Sequence, residues 1–279
     1  MAKLLRNPLL SRRSFWSQRQ HARHPRPRLS RYVLAQSATV TAPTANFSSA
    51  TYCRSRDTVL GVSNASPTAV YEYSRTGTLL RSWTLSTGFV DTEGVCWCYD
   101  DWFCVCDEDT SVLSLMQLNP GNAGATILRA SCVNIDTGLG NLDSTTGGGF
   151  EGVAYDFEQD KFYVCKERRS TAPTWQGMAV YEVLRSGLCR PLFDAPALLG
   201  ATGLCTDLGD LFYEPRSRHL FLFSQESNKV IECKLDGTVL ATLAIVGMTQ
   251  PEGIAFSWDC RTMWITGEPN QFRRFELAA

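Results

Sequence analysis

From about residue 45 the chain alternates short apolar, β-branched and aromatic runs with clusters of turn residues, and few windows carry a helical period. One hydrophobic–polar pattern recurs. It reads TEGVCWCYDDWFCVCDED from Thr92, FEGVAYDFEQDKFYVCKER from Phe150 and PEGIAFSWDCRTMWITGEPN from Pro251. A degenerate copy, LGDLFYEPRSRHLFLFSQES, starts at Leu208, and a fainter one, SATYCRSRDTVLGVSN, at Ser49. Repeat starts at 49, 93, 151, 209 and 252 are separated by 44, 58, 58 and 43 residues. That is the size of a four-stranded propeller blade with loop insertions.

In the third unit the pattern predicts strands over Gly152–Asp156, Lys161–Lys166, Met178–Leu184 and Leu188–Phe193. Asp100-Asp101, Glu158-Gln159-Asp160, Arg185-Ser186-Gly187, Pro215-Arg216-Ser217 and Asp236-Gly237 provide turn chemistry between strands. Five units predict an all-β fold, a five-bladed β-propeller of four-stranded antiparallel blades. The last unit offers only Ile254–Trp258, Thr262–Thr266 and Gln271–Leu277 before the chain stops. The unassigned β-prone run Ser37–Ala42 is expected to supply its outer strand, closing the ring and covering an edge. The propeller domain is then expected over residues 36–279.

Composition adds one thing. Hydrophobics are 44% and charged residues 20%, enough for a real core, and the net charge is −1. That value conceals a split, because residues 1–56 hold eleven Lys/Arg and no acid, whereas 57–279 hold sixteen bases against twenty-eight acids. A basic nucleic-acid-binding body is excluded, since phosphate contact needs clustered Lys/Arg. No run of 18 apolar residues exists to make a spanning helix. Residues 1–35 form a basic leader interrupted at Pro8, without the apolar core of a secretory signal. Its composition fits an organelle transit peptide, a disordered tail or a lipid- or nucleic-acid-binding arm.

The acids recur at equivalent positions. In a propeller blade the first strand is innermost and forms a hairpin with the second, so its start lies beside the second strand's end. Glu93, Glu151 and Glu252 fall at first-strand starts; Glu108, Glu167, Glu226 and Glu268 fall at second-strand ends, with Asn64 equivalent in the first unit. The spacings within units are 15, 16 and 16 residues for the three full pairs. Up to seven carboxylates would therefore ring one channel mouth, and such a ring is costly unless a cation neutralises it. Calcium, taking 6–8 oxygens in irregular geometry, is the expected ion.

Glu93, Glu151 and Glu252 are the expected direct ligands. The other four are expected as ligands, as an outer layer, or as partners of bases such as Lys166 and Arg274; Asp91 and Asp207 are weaker candidates. The alternative is that each Glu-Gly is a blade-entry motif, in which glutamate bonds amides of the next blade and glycine permits the turn.

Other chemistry is sparse. Of three histidines, His21 and His24 lie in the leader and His219 is expected at the end opposite the acids, which argues against a histidine-based triad or metal site there. The eleven cysteines are expected as small buried strand residues. If Asp100-Asp101 is a two-residue turn, Cys98 pairs with Phe103 and Trp97 with Cys104. Cys96 and Cys98 would then face away from Cys104 and Cys106, which excludes a four-thiolate zinc site. Gly147-Gly148-Gly149 precedes a strand and reads as a flexible loop, and the tryptophans read as inter-blade packing, with Trp175 a candidate for exposure.

The stretches DTEGV, GFEGVAYD…FYVCKE, TDLGDLFYEPRSRHLFLFSQES…V…LDGTVL and QPEGIAF…ITGEPNQFRRF resemble the SdiA-regulated family of bacterial envelope proteins, distantly related to NHL-repeat propellers. The resemblance spans residues 49–279 and implies a five-bladed propeller with a bound calcium ion and a place in the cell envelope. The chain departs from that pattern in its cysteines, in its leader and in Asp210, which replaces a glycine. Two functions compete. One is a non-enzymatic, monomeric calcium-binding module taking a protein or small-molecule ligand at its acidic face. The other is a metal-dependent hydrolase, lactonase- or phosphoesterase-like, using the same ion.

Overall fold

The computed structural model describes residues 28–41, 46–142, 148–168 and 173–278. His21, His24 and residues 1–27 of the leader lie outside the described residues, as do Ala42 and Gly147. An N-terminal strand, β1 (Tyr32–Thr39), precedes the first blade, which is β2–β5 (Ser49–Cys53, Thr58–Ser63, Ala69–Tyr73, Leu79–Leu85). Blade 2 comprises β6–β8 (Thr92–Tyr99, Trp102–Asp107, Val112–Gln117) and β10 (Val133–Asp136), while the short β9 (Thr126–Ile127) crosses to pair with β5 of blade 1. Blade 3 is β11–β14 (Phe150–Asp156, Lys161–Lys166, Ala179–Leu184, Cys189–Phe193) and blade 4 is β15–β18 (Asp210–Glu214, His219–Ser224, Lys229–Lys234, Val239–Ala244). Blade 5 is β19–β21 (Gln250–Phe256, Thr262–Glu268, Gln271–Leu277) completed by β1. The architecture is the expected five-bladed propeller. No helix among the described residues is long and apolar enough to cross a membrane.

Burial follows the layering. Second strands such as β3 and β12 are buried at every position because neighbouring blades cover both faces, whereas the outer β18 alternates exposed and half-buried residues. Each first strand also carries an aromatic in the last or next-to-last pair before its turn: Tyr52, Trp97, Tyr155, Tyr213 and Phe256. Four of these rings reach onto the preceding blade, Tyr52 stacking on Trp264 at 5.5 Å, Tyr155 meeting Tyr99 at 6.5 Å, Tyr213 meeting Tyr163 at 4.9 Å and Phe256 meeting Phe212 at 4.9 Å. Such pairs each add about 0.5–1.5 kcal/mol beyond area burial, so the girdle ties blade to blade.

Three details differ from the sequence expectations. The closing strand is β1, five residues upstream of Ser37 at its start, and pairs from Tyr32↔Leu277 to Thr39↔Gln271. It begins inside the stretch that reads as leader, because Leu29 and Tyr32 are buried against blades 4 and 5 despite their arginine-rich surroundings. The β6–β7 register is also different: Cys96 faces Cys104, Trp97 faces Phe103, and Cys98 is bulged. A bulge turns the following side chains, so Cys96, Cys98, Cys104 and Cys106 share one core layer between blades 2 and 3. The opposite-faces argument against a thiolate site therefore fails. What stands against it is that no three of these sulfurs converge to metal-binding distance among the described residues.

All eleven thiols are free, and nine are buried. Finally, Trp83 and Trp264 are fully buried, but Trp97, Trp102 and Trp258 are half-buried at turns, and Trp175 packs over Gly200.

Asp210 bars the channel. It stands where the other units have Gly94, Gly152 and Gly253, and its carboxylate accepts from the backbone N–H groups of Leu211 (2.8 Å), Ile254 (2.9 Å) and Ala50 (3.3 Å) and from the Ser49 hydroxyl (3.0 Å). One side chain thus ties the inner strands of blades 4, 5 and 1.

Candidate metal centre

The three inner glutamates share one backbone device. The pairing of first and second strands skips a residue between Thr92 and Gly94, between Phe150 and Gly152, and between Pro251 and Gly253. Glu93, Glu151 and Glu252 are the skipped residues. A bulged residue has no cross-strand partner and is re-aimed. The following glycine is needed for close approach rather than for a turn. A Cβ on Gly152 would lie 2.6 Å from the Asp210 Cα, and a Cβ on Gly253 would lie 2.5 Å from the Ala50 amide nitrogen. None of the three has a positive φ.

Two groups of carboxylates converge. Oxygens of Asp91, Glu93 and Glu108 lie within 4.8 Å of one another, and so do those of Glu108, Glu151 and Glu167. Glu108 belongs to both, because it leaves the end of β7 in blade 2 and reaches the loop before β11, accepting from the Gly149 N–H at 2.8 Å. Glu252 lies outside both groups, held by the Gln225 amide at 2.7 Å. Glu226 accepts from the Thr206 hydroxyl at 3.0 Å and pairs with Arg168 at 2.6 Å. Glu268 ends β20 and is likewise not in either group.

Electrostatics show the cost of this arrangement. Burial, then the charges of Glu93, Glu108, Glu167 and Glu252, push the Glu151 carboxyl well above its ordinary range. Burial, with help from Asp91 and Glu108, pushes Glu93 up to about 8, and burial with Glu268 and Glu93 pushes Glu252 up to about 9. Burial also raises Glu167 and Glu268. A bound cation would reverse these shifts. The donor set is all hard oxygen, and no histidine or cysteine joins either group among the described residues. That chemistry fits calcium or magnesium and not a soft metal, and the irregular spread over two blades suits calcium.

The chain belongs to the SdiA-regulated family. The family profile matches residues 28–276. Among solved structures, this family member resembles a gluconolactonase from Xanthomonas campestris at 12% identity and TM-score 0.53, covering 90% of this chain and 91% of that one. It resembles a luciferin-regenerating enzyme at 11% identity and TM-score 0.52, covering 89% and 95% of the two chains. A chain of a nidogen/laminin complex matches at 12% identity and TM-score 0.52, covering 82% and 74%. At these identities the likeness shows the fold alone.

The remaining sequence candidates of this SdiA-regulated protein have other work. Asp207 is fully buried and accepts from the Ser224 hydroxyl and from the Gln225 and Glu226 amides at 3.0 Å, which makes it a turn-holding residue. Asn64 donates to Asp91 at 3.1 Å and to Glu93, so the first blade presents an amide at the mouth where others present acids. His219 faces Glu232 at 2.8 Å in the fourth blade, away from both carboxylate groups. Arg274 pairs with Glu276 at 3.5 Å, not with a ring glutamate. Arg168 is a cation at the ring, 3.2 Å from Glu167 and 2.6 Å from Glu226, and the charge of Lys166 also favours the ionised Glu167. The alternating charges of Lys166-Glu167-Arg168 were the only trace of it in the sequence.

Proposed function

We propose that the acidic mouth binds a calcium ion and that the propeller serves as a calcium-stabilised module taking a ligand or partner at that face. The observation that carries this reading is the pair of carboxylate groups joined at Glu108. Five acids from two adjacent blades gather, burial raises the carboxyl pKa values of Glu93, Glu151 and Glu167, and a divalent ion is the simplest neutraliser. Asp91, Glu93, Glu108, Glu151 and Glu167 would hold it, and it would supply a positive centre to attract oxygen ligands.

Metal analysis and melting test this reading. Purified protein is expected to carry calcium, and EDTA to lower Tm. In metal-free protein, Glu93 and Glu252 have pKa values raised from 4.5 to about 8 and about 9. A folded state that holds protons more tightly than the unfolded chain loses stability as pH rises between those values. The EDTA effect should therefore be larger at about pH 9 than at about pH 5, where protons already neutralise the ring. Absence of metal together with an unchanged Tm on adding EDTA or calcium would sink the proposal.

Arg168 acts in this scheme as an internal cation that the ion competes with. Arg168→Ala is expected to tighten calcium binding about three- to tenfold by calorimetry, a modest change for a partly exposed ion pair. Weaker binding instead would make Arg168 a shaping residue.

The second reading is a metal-dependent hydrolase. It is favoured by Glu252, a carboxyl beside the two groups that is not needed to complete them and that would serve as base toward an ion-bound water. The gluconolactonase with a similar fold supports it by analogy only. Hydrolysis of lactone or phosphoester substrates that requires calcium and is lost in Glu252→Gln with calcium affinity retained would select it.

A further inference from the structure

Two asparagines of blade 1 reach the first carboxylate group. Asn64 follows β3 at the place where blades 2 to 5 carry Glu108, Glu167, Glu226 and Glu268. Its side-chain NH2 donates to Asp91 at 3.1 Å and to Glu93, and its Oδ1 accepts from the side-chain NH2 of Asn46. Asn46 Oδ1 is buried and has no hydrogen-bond partner. A buried acceptor left over on a side chain whose donor is in use calls for a reason.

The backbone that carries both amides is fixed. Phe47 is fully buried, packs on Tyr73 at 5.5 Å and fills the space over Gly61, where a Cβ would lie 2.2 Å from its ring. The Ser48 N–H donates to the Val62 carbonyl at 3.1 Å, which extends the β2–β3 hairpin to the two asparagines. Across from them, the Glu108 N–H donates to the Asp91 backbone carbonyl at 2.8 Å, and hydrogen bonding from Ser48 favours the ionised form of Glu93. What is left to turn is the amide planes.

We infer that Asn46 and Asn64 form a coupled two-amide switch that sets the affinity of the Asp91–Glu93–Glu108 group for a divalent cation, with Asn64 Oδ1 a neutral ligand and Asn46 its positioning residue. The inference rests on the ion reading proposed above. An amide NH2 only donates, so the group that now faces Asp91 and Glu93 cannot coordinate a cation. Calcium takes amide carbonyl oxygens as well as carboxylates. A half-turn of the Asn64 amide brings Oδ1 toward the acids and sends its NH2 toward Asn46. That NH2 then needs an acceptor, so Asn46 makes the same half-turn, and its Oδ1 gains a partner without giving one up. Without a cation the turn is opposed, because it replaces two donor bonds to carboxylates with oxygen facing oxygen. An amide also supplies an oxygen without adding a charge to a crowded ring.

Calorimetric titration of the full chain with calcium tests this. Asn64→Ala is expected to weaken binding about tenfold, because a ligand is lost. If Asn64 served only to neutralise the acids, its removal would tighten binding, so tighter or unchanged affinity overturns the inference. Asn46→Asp offers Asn64 an acceptor and no donor. It is expected to tighten binding about tenfold with Asn64 present and by under about twofold in the Asn64→Ala background. Equal tightening in both backgrounds would be the plain attraction of an added charge and would overturn the coupling. Wild-type protein gives a second readout that does not depend on the variants folding. Saturating calcium is expected to shift the side-chain amide NMR signals of both Asn46 and Asn64, and unmoved signals overturn the switch. Wild type that binds no calcium would overturn the ion reading and the switch together, whereas calcium binding with any of the other adverse results overturns the switch alone.

Discussion

Glu151→Gln is expected to lower calcium affinity about a hundredfold, close to 2.7 kcal/mol, while Glu158→Gln leaves it unchanged. Glu151 is the carboxylate on which four others act, and it belongs to the group that Glu108 links to Glu93 and Asp91. Glutamine keeps the shape and removes the charge, and a hard divalent ion depends on that charge. Glu158 lies in the turn after β11, at the opposite end of the blade, where its own amide donates to Asp156. The same substitution should act with opposite sign without metal. Removing one charge from a crowded ring relieves repulsion, so metal-free Glu151→Gln is expected to melt higher than metal-free wild type. Calorimetric titration and melting curves with EDTA check both. Equal loss of affinity in the two variants would place the ion elsewhere.

Asp210→Ala is expected to cost about 3 kcal/mol of folding stability, a large share of the roughly 5–15 kcal/mol that holds a domain together. The substitution leaves the amides of Leu211, Ile254 and Ala50 and the Ser49 hydroxyl without their acceptor. Each buried orphan costs about 1–3 kcal/mol. Relief of the buried carboxyl, which burial pushes up to about 8, returns part of that sum. Asp210→Asn should fall between, because its amide nitrogen would face N–H donors. Urea unfolding measures the difference. A loss under about 0.5 kcal/mol in Asp210→Ala would mean that water replaces the carboxylate without penalty.

Local information made the strands legible. A period of two within each run and turn residues between runs are properties of short segments, and blade 3 follows the expected strands to within two residues at each boundary. Repetition then revealed that seven acids occupy equivalent places. It was silent on which of them meet. The sequence spacing treats the five blades as equals, yet the convergence lies where blades 2 and 3 adjoin, because Glu108 crosses that boundary to Gly149 and joins Glu151 and Glu167.

The misreadings have related causes. A bulge at Cys98 moved a whole strand by one residue and put four cysteines in one layer; nothing in the one-letter pattern marks a bulge. Tyr32 and Leu29 looked like leader because composition is averaged over a window, whereas burial is decided by what lies opposite.

By itself, then, the sequence determined the strand order, the number of blades and the repeat positions of the acids, since each depends on residues near one another along the chain. Only the tertiary structure decided the grouping of Asp91, Glu93, Glu108, Glu151 and Glu167, the bar made by Asp210 and the reach of Asn64 to Asp91 and Glu93. Each of these joins residues from different blades. Their distances are set by how sheets pack around an axis, and no local pattern encodes that packing.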